Sequence, residues 1–281
     1  MIDLDAYLNR IDYTGPRAAS YEVLSAVARL QPASIVYENI DPLLGTAPLL
    51  NLGALQDKLL TRGRGGYCFE QNLLLKEALQ ALGMKVTALA ARVVWMQPPG
   101  APLRSRNHMV LRVEAAGGQA GPFIVDAGFG GNLMNTPLAW EPGVVQRSPH
   151  AVLRLTQDGE WYTIETMLPT GWAAMYRFTL EPYLPVDYEP LNWFTATHHS
   201  SIFRHNLLME RLTPELRTGL FNDRLVLRRP GGAPQVRRID TLAGFDEVLR
   251  DHFGLQLPAT LVDQLYERVP KGLDQFVVPP A

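Results

Sequence analysis

The spacing of apolar positions changes partway along the chain, near position 86. Before that point apolar residues recur every three or four positions, in segments 21–30, 52–60 and 74–82, which predicts amphipathic helices. The last of these helices is followed by Gly83, a residue type that commonly terminates helices. Three glycines disfavour helix further upstream, so we expect Cys68 to lie at the N-terminus of this helix or just before it.

From position 86 the pattern becomes one of short runs rich in β-branched residues, separated by Pro and Gly clusters. This pattern predicts antiparallel strands in a barrel or a sandwich. Segment 151–167 predicts a hairpin whose turn contains Asp158 and Gly159. Farther along, helical and strand-like segments alternate. We therefore predict an α+β chain with three units: helices over 1–85, antiparallel strands over 86–187, and a mixed unit over 188–281 that begins with a helix.

Composition narrows the classes of function. The 281 residues are 47% apolar and 19% charged, and the formal net charge is −2. Nothing in this balance favours binding to nucleic acid or to an anionic membrane surface. No apolar run reaches the roughly 18 residues of a membrane span, and the first residues do not resemble a secretory signal. We therefore expect a cytoplasmic protein with neither nucleic-acid nor membrane partners.

Cys68 is the single cysteine of the chain, which excludes an intrachain disulfide and a zinc site built on several cysteines. We expect no bound metal. A lone cysteine is often only a small buried apolar residue. Here, however, the glycine run permits close approach of a substrate. A helix N-terminus, Arg62 and Arg64 all lie where they would lower the thiol pKa from its usual value of roughly 8.5. This context favours a nucleophile.

A cysteine nucleophile needs a base and a group that orients the base. Of six histidines, His108 begins the apolar strand HMVLRV, where a rigid strand would hold the ring at a cleft. A structural role is nevertheless the commoner one for any single histidine. Asp126 ends the apolar run PFIVD, where it is either a turn residue or a buried, paired carboxylate. Because the two runs are successive strands, we expect Asp126 to accept a hydrogen bond from His108 Nδ1–H.

The order of these three residues is that of a papain/transglutaminase-like Cys-His-Asp site, with cysteine on a helix and the other two on successive strands. Order alone leaves a protease, a cross-linking enzyme and an acyltransferase open. The absence of a secretion signal and of disulfides weakens the interpretation as a protease. The complete set of three residues weakens a fourth interpretation, that of a non-catalytic binding protein.

Longer motifs around the same residues resemble those of the arylamine N-acetyltransferases. RGRGGYCFEQN (62–72) is similar to the family's segment around its nucleophile. HMVLRV and VDAGFG are similar to its histidine and aspartate motifs, in the same order. Segments 34–43, 189–203 and 220–225 resemble further motifs of the family, so the resemblance covers nearly the whole chain.

The resemblance implies a fold with an N-terminal helical bundle, a central antiparallel β-barrel and a C-terminal α/β lid. It also implies ping-pong chemistry, in which Cys68 takes the acetyl group of the cosubstrate acetyl-CoA and CoA leaves. The acetyl group then passes to a small aromatic amine, hydrazine or hydroxylamine. A related thioester-dependent amide synthase and a cytosolic cysteine hydrolase remain the alternatives.

The resemblance further assigns supporting residues. Glu38 and Arg64 are expected to form a buried ion pair behind the site, with a structural role. Geometry, rather than the resemblance, leads us to expect the backbone N–H of Cys68 as one oxyanion donor, with a second donor from 107–109 or a nearby loop. Three aromatic residues are expected to line the acceptor slot: Phe69, Phe129 and Phe203. Three glycines are expected to form the turn that meets the pantetheine or pyrophosphate of CoA: Gly128, Gly130 and Gly131.

Overall fold

The N-terminal part of the chain is mostly helical. The structure, a computed structural model, describes residues 1–98, 100–114, 121–275 and 277. Residues 99, 115–120, 276 and 278–281, which belong to the second and third predicted units, lie outside the described residues. The first elements are α1 (Leu4–Arg10), α2 (Tyr21–Ser34), β1 (Tyr37–Glu38), α3 (Ile40–Leu43), α4 (Leu52–Gln56), which continues into a π-helical turn (Asp57–Thr61), and α5 (Cys68–Ala81).

Local hydrogen bonds set where several of these helices begin and end. The Asp3 side chain accepts from Ala6 N–H at 2.9 Å ahead of α1, and the Asn51 side chain accepts from Ala54 N–H at 3.0 Å ahead of α4. After α5, Gly83 takes a φ of +87°, which residues with a side chain rarely adopt. Of these ends, the sequence analysis named only the stop at Gly83, which directly follows the apolar pattern of α5.

The central part is an eight-stranded antiparallel sheet. Its strands are β2 (Lys85–Val93), β3 (His108–Glu114), β4 (Phe123–Val125), β5 (Leu138–Ala139), β6 (Val145–Arg147), β7 (Val152–Asp158), β8 (Trp161–Leu168) and β9 (Gly171–Pro182). Their order is β5-β4-β3-β2-β9-β8-β7-β6. The Gln146 side chain of β6 accepts from the Ala139 N–H of β5 at 2.8 Å and donates to its carbonyl at 2.9 Å. The sheet is therefore a nearly closed barrel, as predicted.

The C-terminal part begins with a helix near position 188, also as predicted. Its elements are α6 (Tyr188–Thr197), β10 (Leu208–Leu212), β11 (Arg217–Phe221), β12 (Arg224–Arg228), β13 (Gln235–Arg238), α7 (Leu242–Glu247) and α8 (Ala259–Arg268). Together with the barrel and the helices, this lid confirms the α+β fold. Within the described ranges, no helix is both long and apolar enough to cross a membrane.

The sheet of the lid includes β1, a strand that belongs to the N-terminal helical unit. Its five antiparallel strands lie in the order β1-β10-β11-β12-β13, and Tyr37 of β1 pairs with Glu210 of β10. The prediction that the first 85 residues are helical was therefore wrong at β1. Two residues are too few for an alternating pattern to show, and the partner strand lies far along the chain. The boundaries between the three units stay predictions.

Helix α5 is enclosed on every side along its first two turns, where residues 68–75 are all buried. The predicted amphipathic pattern therefore applies only to its later turns. The polar residues among them are hydrogen-bonded: the Gln71 side chain donates to the carbonyls of Ile35 at 3.0 Å and Val36 at 2.8 Å. Because buried polar groups cost free energy unless they are paired, these bonds fix the rotation of α5 about its axis.

Five charged residues form a network behind the start of α5. Arg64 Nη2 lies 2.7 Å from Glu38 Oε1 and 3.0 Å from Asp41 Oδ1, and Lys58 Nζ lies 2.6 Å from Asp41 Oδ2 and 2.7 Å from Glu70 Oε1. Burial raises the pKa of Glu70 to about 7; Lys58 opposes this rise, whereas Glu38 and Asp41 add to it. The structure thus contains the Glu38–Arg64 pair within a larger network than the sequence predicted.

We predict that Arg64→Met lowers the free energy of unfolding by about 3–5 kcal/mol, because it leaves the fully buried Glu38 carboxylate without its cation. Urea denaturation at neutral pH measures this change. Arg62→Met is the matched control, since Arg62 pairs with Asp57 at the surface, and it should cost at most about 1 kcal/mol. Equal effects of the two changes would contradict the structural role of the network.

Candidate active site

Cys68 is the first residue of α5, as the sequence predicted, and its side chain is almost wholly enclosed. Its S–H group donates to the carbonyl of Asn107, with 3.9 Å between sulfur and oxygen. Burial raises the pKa of the thiol, and the negative charge of Asp126 raises it further. The backbone N–H groups of Phe69 and Cys68, at the start of the helix, act in the opposite direction.

The two arginines upstream do not contribute to the thiol in the way the sequence indicated. Arg62 Nε lies 2.9 Å from Asp57 Oδ2 at the surface, and Arg64 binds Glu38 and Asp41. Both guanidinium groups are therefore paired with carboxylates rather than with the Cys68 thiol. The net result is a raised pKa for the thiol, so a thiolate here requires a cation closer than either arginine.

His108 and Asp126 form a buried hydrogen-bonded pair. His108 is the first residue of β3, Asp126 directly follows β4, and each is 2% exposed. His108 Nε2 lies 2.7 Å from Asp126 Oδ2. The sequence led us to expect Nδ1 at this contact, and that expectation was wrong. In the strand register Leu111 faces Val125, so Asp126 lies diagonally across from His108 rather than directly opposite it. Nε2, the ring nitrogen farther from the His108 backbone, is therefore the one that reaches the carboxylate.

The Asp126 carboxylate is held from several directions. Its Oδ1 accepts from Asn72 Nδ2 at 2.9 Å and from the Gly128 N–H at 2.8 Å. Burial alone would raise the pKa of Asp126, but the contacts with His108, Asn72 and Gly128 together hold it below its usual range. Asp126 is therefore ionised at neutral pH and can stabilise a positive charge on His108.

Asn72 is a site residue that sequence reasoning missed. Besides binding Asp126, its amide donates to the carbonyl of Met109 at 2.7 Å and accepts from the Ala127 N–H at 3.0 Å. One side chain thus joins the helix of Cys68 to both barrel segments that carry the other two residues. A signal was available: Asn72 lies four residues after Cys68 and therefore on the same face of α5, directly before the apolar residues 73–75.

Aromatic rings enclose the imidazole of His108. The Phe129 ring lies edge-on to it with centroids 5.3 Å apart, and the Tyr176 ring, which the sequence analysis did not single out, lies at 4.7 Å. The other two predicted aromatic residues share a different neighbour. Phe69 and Phe203 contact Tyr67 at 5.5 and 6.0 Å, and Phe69 is fully buried. Phe69 is thus a core residue, and Phe129 is the one that contacts His108.

The predicted glycine turn is closely packed against protein. A Cβ on Gly128 would lie 2.6 Å from Cys68 Cα, and one on Gly130 would lie 2.3 Å from the Tyr37 ring. Gly131 is required for its conformation, with a φ of +94°. The N–H groups of all three are already bonded: Gly128 to Asp126, Gly130 to the Gly128 carbonyl, and Gly131 to Glu210. This turn therefore lacks the row of free N–H groups typical of a phosphate cradle.

Comparison with known proteins identifies the family. A family model described as N-acetyltransferase matches residues 20–262. An arylamine N-acetyltransferase of Mycolicibacterium smegmatis is 37% identical over 275 residues, which are 97% of this chain and 99% of that protein. The chain belongs to the arylamine N-acetyltransferase family. The arylamine N-acetyltransferase of Escherichia coli strain K12 is 34% identical over 253 residues, covering 90% of this chain and 88% of its own length.

Solved structures of arylamine N-acetyltransferases share the fold. The Mycobacterium marinum arylamine N-acetyltransferase in complex with CoA matches with a TM-score of 0.90 at 34% identity, covering 95% of this chain and 99% of its own. As a member of this family of acetyltransferases, the chain is an enzyme. Among the described residues, no group of three or more His, Cys, Asp or Glu side chains is arranged to hold a metal ion.

We predict that Asn72→Ala lowers the free energy of unfolding by about 1–3 kcal/mol, because it leaves the Met109 carbonyl and the Ala127 N–H buried without a partner. Urea denaturation measures the change. Gln80→Ala on the exposed face of α5 is the control and should stay within about 0.5 kcal/mol of the parent protein. Equal stabilities of the two variants would show that Asn72 does not join helix and barrel.

Proposed function

We propose that this chain transfers an acetyl group from acetyl-CoA to an aromatic amine, hydrazine or hydroxylamine, through a thioester on Cys68, in the cytoplasm. The observation that carries the proposal is the buried His108–Asp126 pair, which lies on the barrel strands beside the helix that begins with the only cysteine. The family supports acetyl transfer, and the similar structure with bound CoA supports the donor.

In the first half-reaction, His108 acts as the base for the Cys68 thiol. Since Nε2 is bound to Asp126, Nδ1 is the ring nitrogen left to take the proton from sulfur. The thiolate and the imidazolium then stabilise each other, and this supplies the cation that neither upstream arginine provides. The thiolate attacks the carbonyl carbon of acetyl-CoA, and the C–S bond to CoA breaks. The proton on His108 goes to the departing CoA thiolate.

In the second half-reaction, the nitrogen or oxygen of the acceptor attacks the acetyl-Cys68 carbonyl. His108 removes a proton from the acceptor, and Cys68 leaves as the thiolate, which restores the thiolate–imidazolium pair; return of the proton from His108 to sulfur regenerates the resting thiol. Donor and intermediate are both thioesters, so the first step is nearly balanced in free energy. A ready thiolate therefore matters more in that step than a strong acid for the leaving group.

The start of α5 supports the tetrahedral intermediates. The N–H groups of Cys68 and Phe69 partly offset the rise in the pKa of the Cys68 thiol, so they can stabilise negative charge that develops at this point. We propose that the Cys68 N–H also stabilises the oxyanion, together with a donor near 107–109. Burial of all three reacting side chains excludes water and thereby favours transfer to a bound acceptor over hydrolysis.

We predict that incubation with acetyl-CoA alone adds one acetyl group to the protein, at Cys68, because no acceptor is present to discharge the thioester. Intact-protein mass spectrometry followed by peptide mapping measures the adduct, and an added aromatic amine should then remove it and appear as the acetylated product. Cys68→Ala is the control and should show no adduct. Absence of an adduct on the folded protein rejects the proposal, and rapid loss of the adduct to water indicates a hydrolase.

We predict that Asp126→Asn lowers the rate of Cys68 acetylation by roughly 10²–10⁴-fold, because the amide neither fixes the imidazole tautomer nor balances its positive charge. Rapid-quench measurement at saturating acetyl-CoA gives this rate. The matched control is Asp158→Asn, which alters an exposed carboxylate at the β7–β8 turn and should leave the rate unchanged. A near-normal rate for Asp126→Asn would show that the assignment of the three residues is wrong.

A further inference from the structure

A second buried ion pair lies in the lid, away from the charge network behind α5. Glu210 of β10 is 2% exposed and Arg217 of β11 is 7% exposed, and Arg217 Nη1 lies 2.9 Å from Glu210 Oε1. The two residues lie on paired strands, with Arg217 opposite Leu212 and Glu210 opposite Gly219. None of the residues assigned above to the chemistry of the reaction belongs to this pair.

Both members of the pair also bind the backbone of the loop that follows Asp126. The Gly131 N–H donates to Glu210 Oε2. Arg217 donates to the Gly131 carbonyl, with 3.4 Å between the atoms, and to the Leu133 carbonyl at 3.1 Å. The lid therefore holds residues 128–133 through charged groups that are themselves buried, and each of these bonds joins the lid to the barrel unit.

The other side of the same loop contacts the candidate catalytic residues. Gly128 packs against the backbone of Cys68, and the Phe129 ring lies against the rings of His108 and Tyr176, at 5.3 and 5.1 Å. Phe129 is only two residues from Gly131. A displacement of Gly131 would therefore move the ring that contacts the imidazole.

Stability alone does not explain this arrangement. A buried ion pair is seldom more stabilising than apolar residues of the same size, since desolvation offsets the attraction between the charges. The pair instead constrains geometry, because its two fixed charges bind one peptide N–H and two carbonyls in a single arrangement. A loop held in this way keeps one position.

We propose that the Glu210–Arg217 pair positions His108, by holding residues 128–133 from the lid so that Phe129 fixes the orientation of the imidazole. Docking of the lid and alignment of the base are thereby coupled. This inference rests on the proposed function, because it requires that His108 is the base for Cys68. Glu210 and Arg217 are positioning residues and contact no reacting atom.

The double variant Glu210→Gln/Arg217→Met tests the proposal, because it removes both charges together and leaves no unpaired buried charge. We expect the variant to stay folded with a melting temperature only a few degrees below that of the parent protein, because two carbonyls lose their donor but no charge is left unpaired. We expect the rate of Cys68 acetylation at saturating acetyl-CoA to fall about tenfold or more, since small misplacements of catalytic groups are costly, while KM for acetyl-CoA changes less. Hydrogen exchange of a peptide covering 128–133 should become faster.

A matched control removes an ion pair of the barrel. Arg154 Nε lies 2.5 Å from Glu165 Oε2 across β7 and β8, and Arg154→Met/Glu165→Gln should alter neither the acetylation rate nor exchange in the loop. If the lid variant behaves like this control, with a parental rate and unchanged exchange, the positioning role is overturned. Failure of the parent protein to acetylate Cys68 would instead reject the proposed function itself.

Arg217→Lys provides a second test that keeps a cation beside Glu210, and it applies even if the double variant does not fold. Lysine lacks the planar, branched geometry by which arginine reaches both carbonyls, so the loop should exchange faster and acetylation should slow severalfold. Parental values for both measurements would overturn the proposal. A slower rate with unchanged exchange at 128–133 would also overturn it, because the effect would not pass through the loop.

Discussion

The buried carboxylate of Asp126 is the group on which the site depends. Water is excluded from it, so its charge is stable only because His108, Asn72 and the Gly128 N–H all bind it. These partners come from α5, from β3 and from the loop after β4. A helical unit and a barrel are thus joined at one anion, and the same hydrogen bonds that stabilise the anion align the imidazole.

Two separate groups of buried charges hold the elements around this carboxylate in place. Behind α5, the network that includes Glu38, Arg64 and Glu70 fixes the start of the helix and hence Cys68. From the lid, the Glu210–Arg217 pair fixes the loop that follows Asp126. Both supports use buried charges, and the backbone groups that the lid pair binds lie 79 to 86 residues away in sequence. The Cys68 side chain is itself almost wholly enclosed.

The sequence predicted the parts of this architecture that depend on neighbouring residues. Glycines before Cys68 and Gly83 after the helix located α5, and apolar runs located the strands of His108 and Asp126. Sequence-based prediction failed for contacts between segments that are distant along the chain. The use of Nε2 follows from strand register, the commitment of Arg64 to Glu38 and Asp41 follows from tertiary packing, and neither leaves a local pattern. The spacing of apolar positions indicated three units, and family resemblance supplied their architecture as bundle, barrel and lid, together with the Glu38–Arg64 pair.

Strand β1 has a consequence for how the chain folds. Tyr37 and Glu38 cover the edge of β10, and this contact joins positions 37 and 210. Contacts between segments this far apart in sequence form slowly during folding, and the edge of β10 stays uncovered until β1 pairs with it. A fragment consisting of the lid alone would present an unpaired strand edge, which is a template for association with other chains. Strand β1, supplied by the N-terminal unit, therefore protects that edge of the C-terminal sheet against association with other chains.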